Sequence, residues 1–461
     1  VGGRRVLPRR RGRTRRAASR PAGRPAEKPG LPDRLAGYSL LTSTVSKAPP
    51  GRAIALYGYG NGELFNMFQP LVVGADRDTY RRVDAADERD RPTALLAPDG
   101  TRVLLGEDRR ATRDLLLVDL TNGRRRSIPI GDPVGVRLLA WSPDGRYVAY
   151  AAAPLGPSDG SVNFVDSTVA RTGTLRLLDV STGRSTEVPT ATPAWTAAFA
   201  PDSGRLAVQV GQEAHLIDLD GRGSGTVPIP GGRELAAGAG WSPDGRFLAT
   251  VPWAADGPSG GNTNHSVFLS LTVDVQFLAI TGTPVPEPVQ DVVQLLGWRS
   301  ADSMVVATTN DAGQLSLTEV ALGAGTRRTL SRFDTGSTCE LGTQNCQVFD
   351  LQLATGLLPD LTVREAGRPR RGPWPATLTI PVAATVVGAA LLLWRRMRRP
   401  LAPGDRIRRY QSIHDDLAHV QVVPGKVEVY GRRTTAWVRQ GCGSRRVRPR
   451  EQRSVPRRTS R

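Results

Sequence analysis

The chain has three cysteines, three methionines and four histidines among its 461 residues, too few for most of the sites that would name a chemistry at once. Cys339, Cys346, Cys442, His215, His265, His414 and His419 stand at unrelated spacings, whereas a zinc site needs His and Cys ligands in clusters. There is no Gly-x-Ser-x-Gly nucleophile elbow and no glycine-rich phosphate loop ending in Gly-Lys-Ser/Thr. The Gly-Tyr-Gly-Asn-Gly run at 58–62 reads as a loop between strands. No apolar run follows the arginines of residues 4–24, so no signal peptide is legible. That leaves either a signal or anchor upstream, or an alternative start codon at Val1. Catalytic residues, cofactor and metal are all expected to be none, and no turnover is expected.

What is present is a repeat. Leu95–Gly100 leads into Val103–Leu105, and Leu138–Gly145 leads into Tyr147–Tyr150. Ala197–Gly204 and Trp241–Ala249 repeat the phrase, and Leu295–Val306 is a worn fifth copy. Pro then Asp then Gly, after Ser or Ala, fits a type I turn, and a turn between two apolar runs predicts a β-hairpin. Asp99, Asp144, Asp202, Asp244 and Asp302 mark units 45, 58, 42 and 58 residues apart. Each hairpin is followed by another strand, as in Leu115–Leu120, Leu175–Val180 and Ala214–Leu219, and then by a fourth, as in Ser127–Ile130. Four strands in roughly 40–45 residues is the size of a propeller blade.

The phrase Trp141–Tyr150 resembles the WD40-like repeat of TolB-type β-propellers, over about residues 51–358. The Gly-His pair and closing Trp-Asp of true WD40 repeats are absent. Residues 348–354 and 361–367 are similar to uncharacterised, membrane-anchored propeller proteins of high-G+C bacteria, which have no established activity to carry over. The expectation is all-β. Residues 53–57, 71–74 and 80–83 give three strands of a first blade, and the lone strand at 346–353 completes it, removing the open edges. That makes six blades, or seven if 331–345 holds another strand pair.

Residues 376–394 carry no charge and are followed by Arg395, Arg396, Arg398 and Arg399. Trp374 and Trp394, 20 residues apart, frame about 30 Å of helix, the depth of a hydrocarbon core with an aromatic at each interface. A single transmembrane helix is expected, with residues 359–375 as a juxtamembrane linker. Residues 1–50 form an Arg-rich arm and linker, and 395–461 a basic tail, both expected to be disordered. Net charge is +10 over residues 1–30 and +14 over 395–461, which leaves −5 for 31–394 against the total of +19. Lysines number three against 59 arginines. The arms have few aromatics and no motif, so lipid association or solvated disorder is favoured over nucleic acid. Seven arginines follow the helix within about fifteen residues and four precede it. Positive-inside counting puts the tail in the cytoplasm and the propeller outside the cell membrane. Cys339 and Cys346 then fit a small disulfide-closed loop, or are two separate buried thiols.

The two 58-residue intervals hold insertions of about fifteen residues, at 153–172 and 253–266. Both fall between the second and third strands of their blades, so both lie on the face opposite the Pro-Asp-Gly turns. Asp159, Asn163, Asp166, Trp253, Asp256 and His265 are the candidate binding residues there. The favoured reading is a membrane-anchored, non-enzymatic binding or scaffold module for a protein, peptide or envelope ligand. The alternatives are a lactonase-like or quinone-dependent enzyme using the central channel, and nucleic-acid binding by the arms. Because the innermost strands begin Leu95, Leu138, Ala197 and Leu295, an apolar channel lining is expected, which argues for the module.

Overall fold

Alternation of apolar and polar residues between tight turns produces almost nothing but antiparallel strands in this computed structural model. The structure describes residues 28–37, 39, 41–61, 67–89, 92–155, 168–189, 191–219, 222–252, 273–280, 282–310, 314–333, 347–374, 376–398, 420–423 and 426–429. The chain divides into two compact units, Val1–Leu378 and Thr379–Arg461.

In the first unit, β1 (Gly30–Pro32) and β2 (Arg34–Leu35) precede β3 (Ala53–Asn61), β4 (Met67–Gly74) and β5 (Tyr80–Arg82). Then come β6 (Thr93–Leu96), β7 (Arg102–Gly106), β8 (Thr112–Asp119), β9 (Arg125–Trp141) and β10 (Tyr147–Ala153). A short helix, α1 (Thr168–Thr172), leads to β11 (Thr174–Asp179) and β12 (Arg184–Val188). The next set is β13 (Ala197–Phe199), β14 (Arg205–Val210), β15 (Glu213–Asp218) and β16 (Gly223–Pro228). It is followed by β17 (Arg233–Leu235), β18 (Phe247–Pro252), β19 (Val273–Ala279) and β20 (Val289–Val292). The last strands are β21 (Gln294–Ser300), β22 (Ser303–Thr309), β23 (Leu315–Ala321), β24 (Arg327–Phe333), β25 (Gln347–Leu353) and β26 (Thr362–Arg364).

The sheets are β13 to β16 in order, β17 to β20 in order, and β21 to β24 with β2 added outside β24. A seven-stranded sheet runs from β6 to β12. Within it the 17-residue β9 does two jobs. Its first half pairs with β8 as an outer strand, and its second half pairs with β10 as an inner one. The remaining sheet is β25-β3-β4-β5, in which Val348 pairs with Tyr59, 289 residues earlier in the chain. The expected closing strand is thus in place.

Packing repeats the same circuit. Val72 and Leu105 share one core cluster across β4 and β7, Leu117 and Tyr150 another across β8 and β10, and Leu177 and Val208 a third across β11 and β14. Leu216 and Leu248 join β15 to β18, Phe277 and Met304 join β19 to β22, and Leu317 and Tyr57 bring β23 back to β3. Each four-stranded set buries both faces against its neighbours, which is what a propeller requires.

The turns account for the motif. Gly100, Gly145 and Gly245 have φ of 71°, 71° and 75°, a left-handed conformation that glycine adopts without penalty. Asp144 accepts from the Ser142 hydroxyl at 2.5 Å and the Arg146 N–H at 2.9 Å, while Tyr147 N–H donates to Ser142 Oγ at 2.8 Å. Ser242, Asp244, Arg246 and Phe247 repeat the network at 2.8, 3.1 and 3.0 Å. The third copy differs: Ser203, at φ 59°, takes the fourth turn position ahead of Gly204.

Ordered pairing reaches outside the expected 51–358 span. β1 pairs in parallel with β26, and β2 with β24, and Leu31 and Leu35 are fully buried. Arg364 binds Asp78 at 2.8 Å and also donates to the carbonyls of Gly30, Gly74 and Ala75. Arg371 donates to Gly37 O and Thr42 Oγ1, each at 3.0 Å. The disordered arm expected over 1–50 and the linker expected over 359–375 are corrected for these stretches. Two buried leucines and an arginine that satisfies three carbonyls are enough to hold backbone that its composition marks as linker.

The second unit contains most of α2 (Ala376–Arg398), whose Pro381 lies near the start. Among its described residues Ile380, Val386, Leu392 and Leu393 are each more than 60 % exposed. Residues 379–397 are long and apolar enough to cross a membrane, with a mean hydropathy of 1.4 over the best window. β27 (Val420–Val423) and β28 (Lys426–Val429) pair as an antiparallel hairpin, a departure from the unstructured tail expected over 395–461. Alternating valines explain it.

Candidate functional site: the channel mouth

The predicted loop residues Asp159, Asn163, Asp166, Trp253, Asp256 and His265 lie outside the described residues, as do Cys339 and Cys346. Trp374 and Trp394 are described, at 52 % and 47 % exposure. The roots of both insertions are also described. β10 ends at Ala153, opposite Gly135 of β9, and β18 ends at Pro252, opposite Arg233 of β17. Both insertions therefore leave from the face where the innermost strands begin. α1 follows the first, with Val169 and Ala170 buried; no periodicity along 168–172 announces this helix.

The innermost strands line a channel whose two halves differ. Toward the Pro-Asp-Gly turns it is uncharged, a cavity of about 70 Å³ bounded by Leu95, Leu139, Trp141, Leu295, Leu351 and Leu353 together with the polar Gln294, Gln352 and Thr355. Toward the insertions it is charged. Arg137 on β9 is 3 % exposed, and its guanidinium lies 4.9 Å from the Trp195 ring. Burial lowers its pKa, while the charges of Asp108 and Glu234 act in the opposite sense. Glu234 on β17 is 3 % exposed and accepts from Trp195 Nε1 at 2.7 Å. Asp108 follows β7 in a turn whose Glu107 carbonyl accepts from Val136 N–H at 2.7 Å. Beside it Arg89 binds Asp114 at 2.8 Å and faces Glu107 at 3.9 Å.

Asp350 completes the group from the closing blade. Phe349 opposes Gly58 and Gln352 opposes Leu56, so the bulge sets two residues of β25 against one of β3. Asp350 sits in it at φ 50°, a left-handed backbone that aspartate tolerates better than most residues. Loss of water, reinforced by the Asp108 charge, pushes its carboxyl up to about 7. Among the described residues no hydrogen bond reaches that carboxyl. Gln294 Nε2 donates to Leu351 O, and Gln352 ties Leu96 N and Ala94 O, which fixes β25 against β21 and β6.

The apolar lining inferred from the sequence is thus corrected for the upper half of the channel. Arg137 and Glu234 lie on the innermost strands one residue before Leu138 and Leu235, because these strands begin earlier than their apolar runs. The signal was there: Arg137 stands between Val136 and Leu138, and Arg233-Glu234 stands directly before Leu235, a charge inside or against an apolar run. Asp350, in Phe349-Asp350-Leu351, carries the same mark.

The chain is similar in structure to TolB. The protein from Acinetobacter baumannii matches at 15 % identity and a TM-score of 0.41, covering 66 % of this chain and 67 % of its own. An oligogalacturonate lyase from Vibrio parahaemolyticus matches at 13 % and 0.40, covering 66 % and 81 %. An oligogalacturonate lyase in complex with manganese matches at 14 % and 0.38, covering 65 % and 78 %. All three TM-scores are below 0.5. No protein-family model and no curated protein matches the chain. Among the described residues no three His, Cys, Asp or Glu come together as a metal site.

Proposed function

We propose that the chain is a membrane-anchored propeller that binds a protein, peptide or envelope ligand, without turnover, through the face bearing the insertions. The observation carrying this reading is positional. The roots of both insertions, the buried charges Arg137 and Glu234, and the partly buried Asp350 belong to one end of the same channel. A rigid ring that presents loops and a polar opening together has the form of a recognition surface. The helix at 379–397 supplies the anchor, and the excess of arginine after it favours a propeller outside the cytoplasm.

The test uses the full chain in its membrane. Shortening 153–172 and 253–266 to the length of the turn after Val210 is expected to leave folding intact, because closure entropy changes slowly with loop length. It is also expected to abolish capture of the ligand retained by the unaltered chain. Protease accessibility of the propeller on intact cells fixes the side; protection would reverse the assigned orientation. A second reading, a channel enzyme, is favoured by one observation: a carboxyl titrating near neutrality is suited to general acid–base work. Turnover of a lactone that is lost in Asp350→Asn would replace the first reading with the second.

A further inference from the structure

We propose that the outer rim of the propeller, where the chain leaves it for the apolar helix, is a binding surface for anionic phospholipid headgroups. This rests on the reading of residues 379–397 as the anchor and goes beyond it, because it assigns a lipid-selective surface to the folded ring. Four arginines precede the helix, and the fold puts them to two uses. Arg364 and Arg371 turn inward, to Asp78 and to backbone carbonyls. Arg368 and Arg370 are exposed. Thr79 forms a β-bridge with Arg370, whose N–H donates to Asp78 O at 2.7 Å, and Gly367 N–H donates to the Asp78 carboxylate. The exposed Arg77, beside Asp78, thus joins them on the rim of the first blade.

The last blade adds two more. In the β2–β24 pair Arg34 stands directly opposite Arg332 and both are exposed, while the next pair, Leu35 and Phe333, is buried. Arg332 N–H donates to Asp33 O at 3.0 Å and the Asp33 carboxylate accepts from Ala366 N–H at 2.8 Å, which fastens this pair to the same segment. Like charges opposed across a strand pair repel. Elsewhere the sheets avoid this: Arg176 opposes Glu187 and binds it at 3.0 Å, and Arg328 opposes Glu319 and binds it at 2.6 Å. Among the described residues, no side-chain partner is found for Arg34, Arg77, Arg332, Arg368 or Arg370. Two nearby carboxylates are engaged, Asp76 by Arg52 at 2.7 Å and Asp78 by Arg364 at 2.8 Å. Residues 360–374 supply only the exposed Asp360 and Glu365 of their own. A second, independent observation says what meets these arginines. Trp374, 52 % exposed, lies three residues past Arg371 and five before Thr379, where the apolar stretch begins. An exposed indole at that place in a sequence is an interfacial anchor, and seven residues, 372–378, make a short tether. Guanidinium groups pair with phosphate through two parallel hydrogen bonds, and an anionic leaflet attracts arginines beside a membrane helix. The surface therefore selects a phosphate headgroup of net negative charge over a zwitterionic one.

The experiment reconstitutes the full chain into vesicles of phosphatidylcholine mixed with phosphatidylglycerol. One or the other lipid carries a photoactivatable group in its headgroup, and labelled residues are mapped by peptide mass spectrometry. Because labels are read residue by residue, the arginines at the two ends of the chain do not enter the comparison. Phosphatidylglycerol is expected to label residues 76–80 and 364–374 at least about threefold more than phosphatidylcholine does. Substituting Arg34→Gln, Arg77→Gln and Arg370→Gln together is expected to remove that preference, and Arg184→Gln, exposed on β12, to leave it unchanged. Equal labelling by the two lipids, or a preference that survives the triple substitution, would overturn the proposal. Should the triple variant fail to fold, the unaltered chain still decides. Its preference is expected to shrink as sodium chloride rises from about 0.05 M to about 0.5 M, and indifference to salt would overturn the proposal. Loss of labelling to inorganic phosphate at constant ionic strength would also overturn it, in favour of a site for the free anion. A chain that does not sediment with the vesicles would overturn the anchor and this inference with it. A sedimenting chain without the preference would overturn this inference alone.

Discussion

Asp350 and Gly100 put two different kinds of local strain to use. In the unfolded chain the Asp350 carboxyl titrates near 3.8, and in the folded chain at about 7. A carboxyl whose folded pKa is raised contributes most favourably below the unfolded value, and that contribution is lost as pH rises through 7. Asp350→Asn is therefore expected to stabilise the propeller more at pH 8 than at pH 5, by on the order of 1–3 kcal/mol. Urea midpoints at the two pH values measure the difference; a constant offset would mean that the carboxyl is not raised. Gly100 is constrained by space as well as by backbone. A Cβ there would stand 2.1 Å from the Ala53 carbonyl oxygen, whereas at Gly211, with φ 62°, it would meet nothing within 4 Å. Gly211→Ala is expected to cost about 1 kcal/mol and Gly100→Ala about 2–4, by the same denaturation assay.

Among the elements, β25 and α2 bear most weight. A chain ending at residue 344 lacks β25, leaves β3 with an unpaired edge and removes Leu351 and Leu353 from the core joining the last blade to the first. It is expected to lose cooperative unfolding, whereas a chain ending at residue 374 keeps it; circular dichroism melts of the two make the comparison. In α2, Val386 and Leu391 are exposed near the middle of the apolar stretch, where arginine would meet the hydrocarbon core. Each charge costs about 2.5–3.5 kcal/mol at the centre of a membrane helix. The double variant is expected in the soluble fraction after ultracentrifugation, and continued membrane retention would reveal another anchor. The repeats made the hairpins and the closing strand legible because their signal is local: a turn and two alternating runs. β1, β2 and β26 were not legible, since two- and three-residue strands owe their existence to a surface built elsewhere. β9 hid for the opposite reason. Its Gly131, Pro133 and Gly135 read as a break, yet the strand continues through them from one sheet role to the next.

For the molecule as a whole, the ring was legible and the opening through it was not. Repetition specifies how blades pack, and the same pattern recurs wherever the packing does. The charges at the channel mouth occur once each, on different blades, and meet only because closure brings residues 108, 137, 234 and 350 to one end of the channel. No spacing along the chain announces such a group.

The pairing of Val348 with Tyr59 also has a consequence in time. At roughly 5–20 residues per second of synthesis, β3 emerges tens of seconds before the strand that completes its sheet. During that interval the first blade has an incomplete hydrogen-bond ladder, and Asp350, one of the channel carboxylates, has not yet been made. The full set of charges at the mouth and closure of the ring are therefore acquired together, at the end. A chain interrupted before residue 347 has neither.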